Sequence, residues 1–258
     1  MTEARTDAST PDLSKAPRRI ASMFDAIAGR YDLLNHLLSA GIDRRWRRVA
    51  VLSLGLSGRE RVLDVCTGTA DLAIAALEAR PGAARVVGVD FSGAMLGVGR
   101  RKIVGNGLGD RATLLRADAA RLPLSDGVVD AITVAFGIRN VERVEVACAE
   151  MRRVLAPGGR LAILEFAIPT ARPVRAVYLW YFNHVLPRIG RLITRHDAYS
   201  YLPASVSAFS SPDQFQRLLR ESGFSRVSAR PLTFGIVQLY LAMAPERATI
   251  GGAGGSER

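Results

Sequence analysis

The stretch VAFGIRNV, residues 134–141, ends an apolar run on an arginine and an asparagine, Arg139 and Asn140. A guanidinium stays cationic at any working pH and offers donors in a fixed fork, while a carboxamide both donates and accepts. The pair suits a site that holds an anionic or hydrogen-bonding group beside an apolar pocket. A solvated turn, or a salt bridge from Arg139 to Glu142 or Glu145, is the structural alternative. A second candidate is VLDVCTGTADLA, residues 62–73, where small side chains let a ligand approach the backbone closely. It is not the dinucleotide fingerprint G-x-G-x-x-G, because the three glycine positions are Cys66, Gly68 and Asp71. Asp90, ending the next β-rich run, suits a ribose in either cofactor class. Asp118, ending the third, sits where open α/β sheets bind ligands and could accept from an exocyclic amine such as that of adenine.

The elements that must position these residues follow from the changing period. Apolar residues recur every three or four positions over 18–55, with Gly29 and Gly41 as breaks, which predicts two or three short helices. Short β-branched runs then alternate with helix-like segments: RVLDVC (61–66), ARVVGVD (84–90), ATLLRAD (112–118), VVDAITVAF (128–136) and RLAILEF (160–166). This spacing predicts a parallel, doubly wound α/β sheet. After Pro169 comes a helical, aromatic-rich insertion, and the chain returns to type with PDQFQRLLRESG, RVSARPL and IVQLYLAMA. The organisation expected is a polar leader over 1–17, one domain over 18–246 with a helical cap (18–55) and an insertion (170–205), and a tail over 247–258.

Composition narrows the classes. Of 258 residues, 48% are hydrophobic and 23% charged, enough for a sizeable core. No apolar run is long enough to span a bilayer, and the N-terminus lacks the apolar centre of a signal peptide. Two cysteines, Cys66 and Cys148, make no disulfide framework, so a reducing cytoplasm is expected. A net charge of +11 implies attraction to nucleic acid, phospholipid or an acidic ligand without choosing among them. His36, His184 and His196 have no metal-ligand spacing, and no metal is expected.

LDVCTGTAD, GVDFSGAML, the Asp118 strand end and RVLAPGGRLAILEF, in that order, resemble the class I S-adenosylmethionine-dependent methyltransferases, a Rossmann-like, doubly wound seven-stranded fold. The resemblance implies cofactor contacts from Asp64, Gly68, Thr69, Asp90, Asp118 and Ala119, with Asp90 on the ribose and Asp118 and Ala119 at the adenine. Cys66 and Ala70 depart from the superfamily's usual glycines. MFDAIAGRYDLLNHLLSAGIDRRWRR, VAFGIRNV, ILEFAIP, HDAYSYLPASVSAF and LTFGIVQLYLA further resemble the UbiE/MenG family of quinone-biosynthesis C-methyltransferases, Tyr31, Asp32 and Asn35 carrying much of the likeness. Asp43 stands where many members have histidine, so it is assigned no role.

That resemblance implies a polyprenyl demethylquinol acceptor, demethylmenaquinol before the benzoquinol of ubiquinone synthesis. A neutral ring carbon is a poor nucleophile, so Arg139 is expected to favour the ionised ring hydroxyl, with Asn140 beside it. Tyr31, alone or through a water, is the expected proton relay, and His36 the weaker candidate. The insertion is expected to cap the site, to lie on an anionic membrane from the cytoplasmic side, or both, Tyr178, Trp180, Tyr181, Phe182, Arg175, Arg188, Arg191 and Arg195 serving that surface. A homodimer is compatible with the sequence. An RNA methyltransferase and a non-catalytic S-adenosylmethionine-binding partner are the rival readings. The chain lacks basic runs interleaved with stacking aromatics outside the insertion, and a scaffold has no need of Tyr31, Arg139 and Asn140, so nucleic acid is not expected as a partner.

Overall fold

The computed structural model describes residues 15–79, 85–181, 184 and 198–246. The expected tail, most of the leader, and Phe182, Arg188, Arg191, Arg195 and His196 of the insertion lie outside the described residues. Seven strands form one sheet: β1 (Arg61–Val65), β2 (Arg85–Asp90), β3 (Ala112–Arg116), β4 (Val129–Ala135), β5 (Leu155–Phe166), β6 (Ser225–Leu232) and β7 (Val237–Met243). Their order is β3-β2-β1-β4-β5-β7-β6. β1 to β5 are parallel, as a chain that alternates strand and helix must be. β7 runs antiparallel to both β5 and β6, so the seven-stranded, doubly wound sheet is parallel over its alternating strands and antiparallel at its final hairpin. Only Thr233–Ile236 separates β6 from β7, and so short a link can only reverse the chain.

Adjacent strand residues supply opposite faces. Val62, Ala131 and Leu239 join α3 (Ile42–Ser53), α4 (Asp71–Ala79) and α5 (Gly93–Gly105) in one apolar layer. Leu63, Ile132 and Tyr240 join α6 (Val144–Val154) and α9 (Pro212–Glu221) in the other. Local chemistry starts these helices: Ser92 caps α5 by accepting from the Met95 amide, and Ser211 with Gln214 makes a capping box before α9.

The N-terminal cap is α1 (Pro17–Ile27) and α2 (Tyr31–Leu38), joined through a 3₁₀ turn containing Gly29, with Gly41 at φ 75° turning the chain into α3. α1 and α2 dock Phe24, Ile27 and Tyr31 against Met95 and Val98 of α5. The insertion supplies α7 (Arg172–Trp180) and α8 (Ala198–Ala208).

The loops after β1 and β4 meet where the strand order reverses, and the contact is tight. Cys66 occupies the left-handed region at φ 55°, and a Cβ on Gly137 would overlap the Cβ of Cys66. The side chain added to the first loop takes its room from the glycine of FGIRN. Gly137→Ala is therefore expected to lower stability by roughly 1–3 kcal/mol, read from the denaturation midpoint. Combining it with Cys66→Gly should restore most of that loss, and an additive double mutant would contradict the shared space.

Candidate active site

A cavity opens at the C-terminal ends of β1, β2, β3 and β4, where doubly wound sheets bind ligands. It holds about 890 Å³ of empty space, its open mouth included. Gly68, Asp90, Asp118 and Ala119, four of the six expected cofactor residues, line it. Gly68 has φ 55° with nothing within 4 Å of where a Cβ would stand, so its backbone borders open space. Asp90 accepts from the amides of Gly68 and Ser92, both at 2.8 Å, and so ties the first two loops together. Burial nonetheless pushes its carboxyl above the usual range. Asp118 accepts from the Ala120 amide at 2.9 Å, which turns the chain back beneath the cavity.

The other two expected cofactor residues face elsewhere. Asp64 is buried under the loop, accepting from Thr67 Oγ1 at 2.5 Å and Thr133 Oγ1 at 2.7 Å. Thr69 donates to Asp32 of α2, whose other oxygen takes Lys102 Nζ at 2.6 Å. Lys102 also pairs with Asp71. These two residues organise the loop and clamp the cap to it.

Tyr31 and Asn140 line the cavity. Asn140 is buried, and its Oδ1 has no hydrogen-bond partner among the described residues. Burial raises the Tyr31 phenol, against a smaller lowering from Asn35 and Arg139, so at neutral pH it keeps its proton. Arg139 is buried but is not part of that lining. Its Nη1 donates to Glu165 Oε1 at 2.7 Å and to the Phe136 carbonyl at 2.5 Å, and its Nε donates to Ser205 Oγ at 3.3 Å. Its guanidinium lies 5.5 Å from the Phe166 ring centroid. The partner is Glu165, at the end of β5, and not Glu142 or Glu145. Glu165 is 0% exposed and receives the backbone amides of Arg139 and Phe166 as well.

Glu165 lies within ILEFAIP but was not among the expected site residues. An acid closing an otherwise apolar strand is the signal that could have found it. The N-terminal helices were expected to wall an apolar cleft, though no residue was named for it: Pro17, Ile20 and Phe24 of α1 line the cavity, and Asp25 accepts from Ser92 Oγ and from the Ala94 amide at 3.1 Å.

His36 and Cys66 take structural positions. His36 Nδ1 lies 2.8 Å from Asp43, which also binds Ser39 and Arg47. Asp43, given no role above, is thus a hub joining α2 to α3. His36, Asp43 and Asp71 bring possible ligand atoms within 4.8 Å of one another, yet Arg47 and Lys102 already balance that charge. The Cys66 thiol is pushed well up by burial and by the carboxylates of Asp90 and Asp64, so it is no nucleophile at neutral pH.

The family model described as the ubiE/COQ5 methyltransferase family matches residues 13–244. The chain is 46% identical over 229 residues to the ubiquinone/menaquinone biosynthesis C-methyltransferase UbiE of Geobacter sp. (strain M21), covering 89% of this chain and 97% of that one. It is 48% identical over 224 residues to the demethylmenaquinone methyltransferase of Thermus thermophilus, covering 86% and 100%. In fold it is similar to a SAM-dependent methyltransferase from Aquifex aeolicus (TM-score 0.58, 19% identity, 76% and 88% covered). It is also similar to the [4+2]-cyclase SpnF (TM-score 0.68, 16% identity, 92% and 99% covered).

Asp64 generates a pH prediction. Burial raises its folded pKa from 3.8 to about 6. The folded state therefore binds the proton that the unfolded chain releases near pH 4, and stability falls as pH rises from about 4 to 6. Asp64→Asn, which keeps an amide between the two threonines, should remove a slope worth on the order of 3 kcal/mol. Denaturant titrations across that range would show it, and an unchanged slope would contradict the raised pKa.

Proposed function

Because the chain belongs to the ubiE/COQ5 methyltransferase family, we propose that it methylates a ring carbon of demethylmenaquinol. It is an S-adenosylmethionine-dependent C-methyltransferase of quinone biosynthesis. The observation that carries the acceptor reading is the polar group at the β4 end: Asn140 and Tyr31 on the cavity wall, with Arg139 buried beside them.

The cavity fits the methyl donor: a bare glycine backbone at Gly68, two strand-end acids, and apolar walls from Ala119 and Met95. Asp90 would hold the ribose, and Asp118 with Ala119 the adenine. When bound, S-adenosylmethionine supplies an activated methyl group. The residues of this chain then have two tasks at the acceptor. The first is to make the ring carbon electron-rich by favouring the ionised hydroxyl. Asn140 can favour that ionised oxygen only by donating from its Nδ2, and Arg139 adds a positive field at short range in a low-dielectric site. Glu165 matters here, since an unbalanced buried cation would also repel the sulfonium. The pair keeps the site near neutral while its dipole stays in place. The second task is proton removal after transfer. Tyr31, protonated at rest, serves as a relay and not as a standing base.

The acceptor's isoprenoid tail motivates a second proposal, that the cap meets an anionic membrane surface. α7 buries Tyr178 on one face and exposes Val177 and Trp180 on the other, with Arg172 and Arg175 exposed at its start. Phe234, at the β6–β7 turn, is 80% exposed. An amphipathic helix with aromatics and arginines on its outer side suits headgroup depth. No helix among the described residues is long and apolar enough to cross a membrane.

Incubation with S-adenosylmethionine and reduced demethylmenaquinone, with mass analysis of the quinone, is expected to show one added methyl group. Methylation of the benzoquinol alone, or of RNA, would overturn the acceptor assignment. In the same assay Arg139→Lys keeps the charge beside Glu165 but loses the fork, and kcat should fall by about 100-fold or more. Asp90→Ala should instead lose cofactor binding. Co-flotation with anionic liposomes at low salt, weakened by Trp180→Ser, is expected for the membrane contact, and a protein left at the bottom of the gradient would refute it.

A further inference from the structure

Two buried polar atoms near Arg139 have no hydrogen-bond partner among the described residues: Asn140 Oδ1, in the same 3₁₀ turn, and Tyr201 Oη, on α8. Tyr201 is only 4% exposed. Leaving a buried hydroxyl unsatisfied is costly, and native folds tolerate it mainly where a ligand restores the bond. Its location is defined from two sides. Ser205, one helical turn further along α8 and hence on the same face, holds Arg139 Nε at 3.3 Å. On the other side the guanidinium of Arg19 lies 5.9 Å from the Tyr201 ring centroid, and Arg19 belongs to α1, the helix whose Pro17 and Ile20 wall the cavity. The ring therefore sits where the N-terminal cap, the insertion and the Arg139 turn converge. The charges of Arg139 and Arg19 both act on its phenol, which burial raises.

A hydroquinone has two hydroxyls on opposite edges of the ring, each able to donate and accept. One orphaned group lies on the strand-end turn and the other on the helix that covers it. We propose that Tyr201 is an acceptor-binding residue, its hydroxyl bonding the ring oxygen that Asn140 does not, so that the quinol is held by both edges between the β4 turn and α8. This rests on the quinol reading above and extends it: the site selects a para-dihydroxy ring over a monophenol, and part of that selectivity is carried by the insertion.

The test is Tyr201→Phe, assayed with demethylmenaquinol and with a naphthol of the same tail carrying a single hydroxyl. KM for the quinol is expected to rise roughly tenfold, the scale of one buried hydrogen bond. The quinol's advantage over the naphthol should shrink by the same factor. The KM for S-adenosylmethionine and the melting temperature should stay as in the wild type, since the hydroxyl has no hydrogen-bond partner among the described residues. A quinol KM equal to that of the wild type overturns the assignment, and so does a drop in melting temperature with a matching loss of cofactor affinity, which marks a structural hydroxyl. If the wild-type enzyme itself leaves the quinol unmethylated, the acceptor reading falls. If the wild type turns over and Tyr201→Phe equals it, only the Tyr201 assignment falls.

Discussion

The buried pair of Arg139 and Glu165 holds the β4 end of the cavity together. Neither charge would survive alone in that interior, where the desolvation penalty is several kcal/mol per ion in order of magnitude. The pair is retained because it fastens three elements at once: the turn after β4, the end of β5, and α8 through Ser205. Glu165 also takes two backbone amides, so its oxygens have no freedom to move. The guanidinium is consequently fixed in place beside the cavity before any ligand arrives. Such fixed dipoles are what electrostatic catalysis requires, because no reorganisation remains to be done at the moment of reaction.

The end of the cavity under β1 and β2 is built differently, from loops with little side-chain bulk tied by carboxylates. Asp90 joins the first loop to the second, and Asp64 braces the first from below. The helices that close the cavity are then fastened to those loops by polar contacts. Asp25 reaches the N-terminus of α5, while Asp32 reaches Thr69 and Lys102. Polar latches of this kind are more easily exchanged than apolar packing, and they stand beside the apolar cluster that Phe24 and Ile27 make with Met95.

The same economy of space appears at Cys66 and Gly137. Two loops meet at the switch point with room for one side chain between them, and the chain places that side chain in the first loop. Cys66 and Ala70 both take the positive φ that a glycine would adopt freely. Steric exclusion in the neighbouring loop thus explains why FGIRN needs its glycine, a requirement invisible to any reading of one loop at a time.

The sequence by itself determined the strands, most of the helices, the motif order and hence the family, because period, turn residues and glycine placement are local properties of the chain. It also pointed to Asp90, Asp118 and Asn140 at readable strand ends, and to Tyr31 through the family's motif, and the structure brings all four to the wall of one cavity. Only the tertiary structure decided that β7 inserts between β5 and β6, that Asp64 and Thr69 turn away from the cavity, and that Arg139 answers to Glu165 and Ser205, 26 and 66 residues distant. Those outcomes depend on which chain segments the packed sheet brings side by side, and a guanidinium's partner is chosen by proximity in space, which no spacing along the chain encodes.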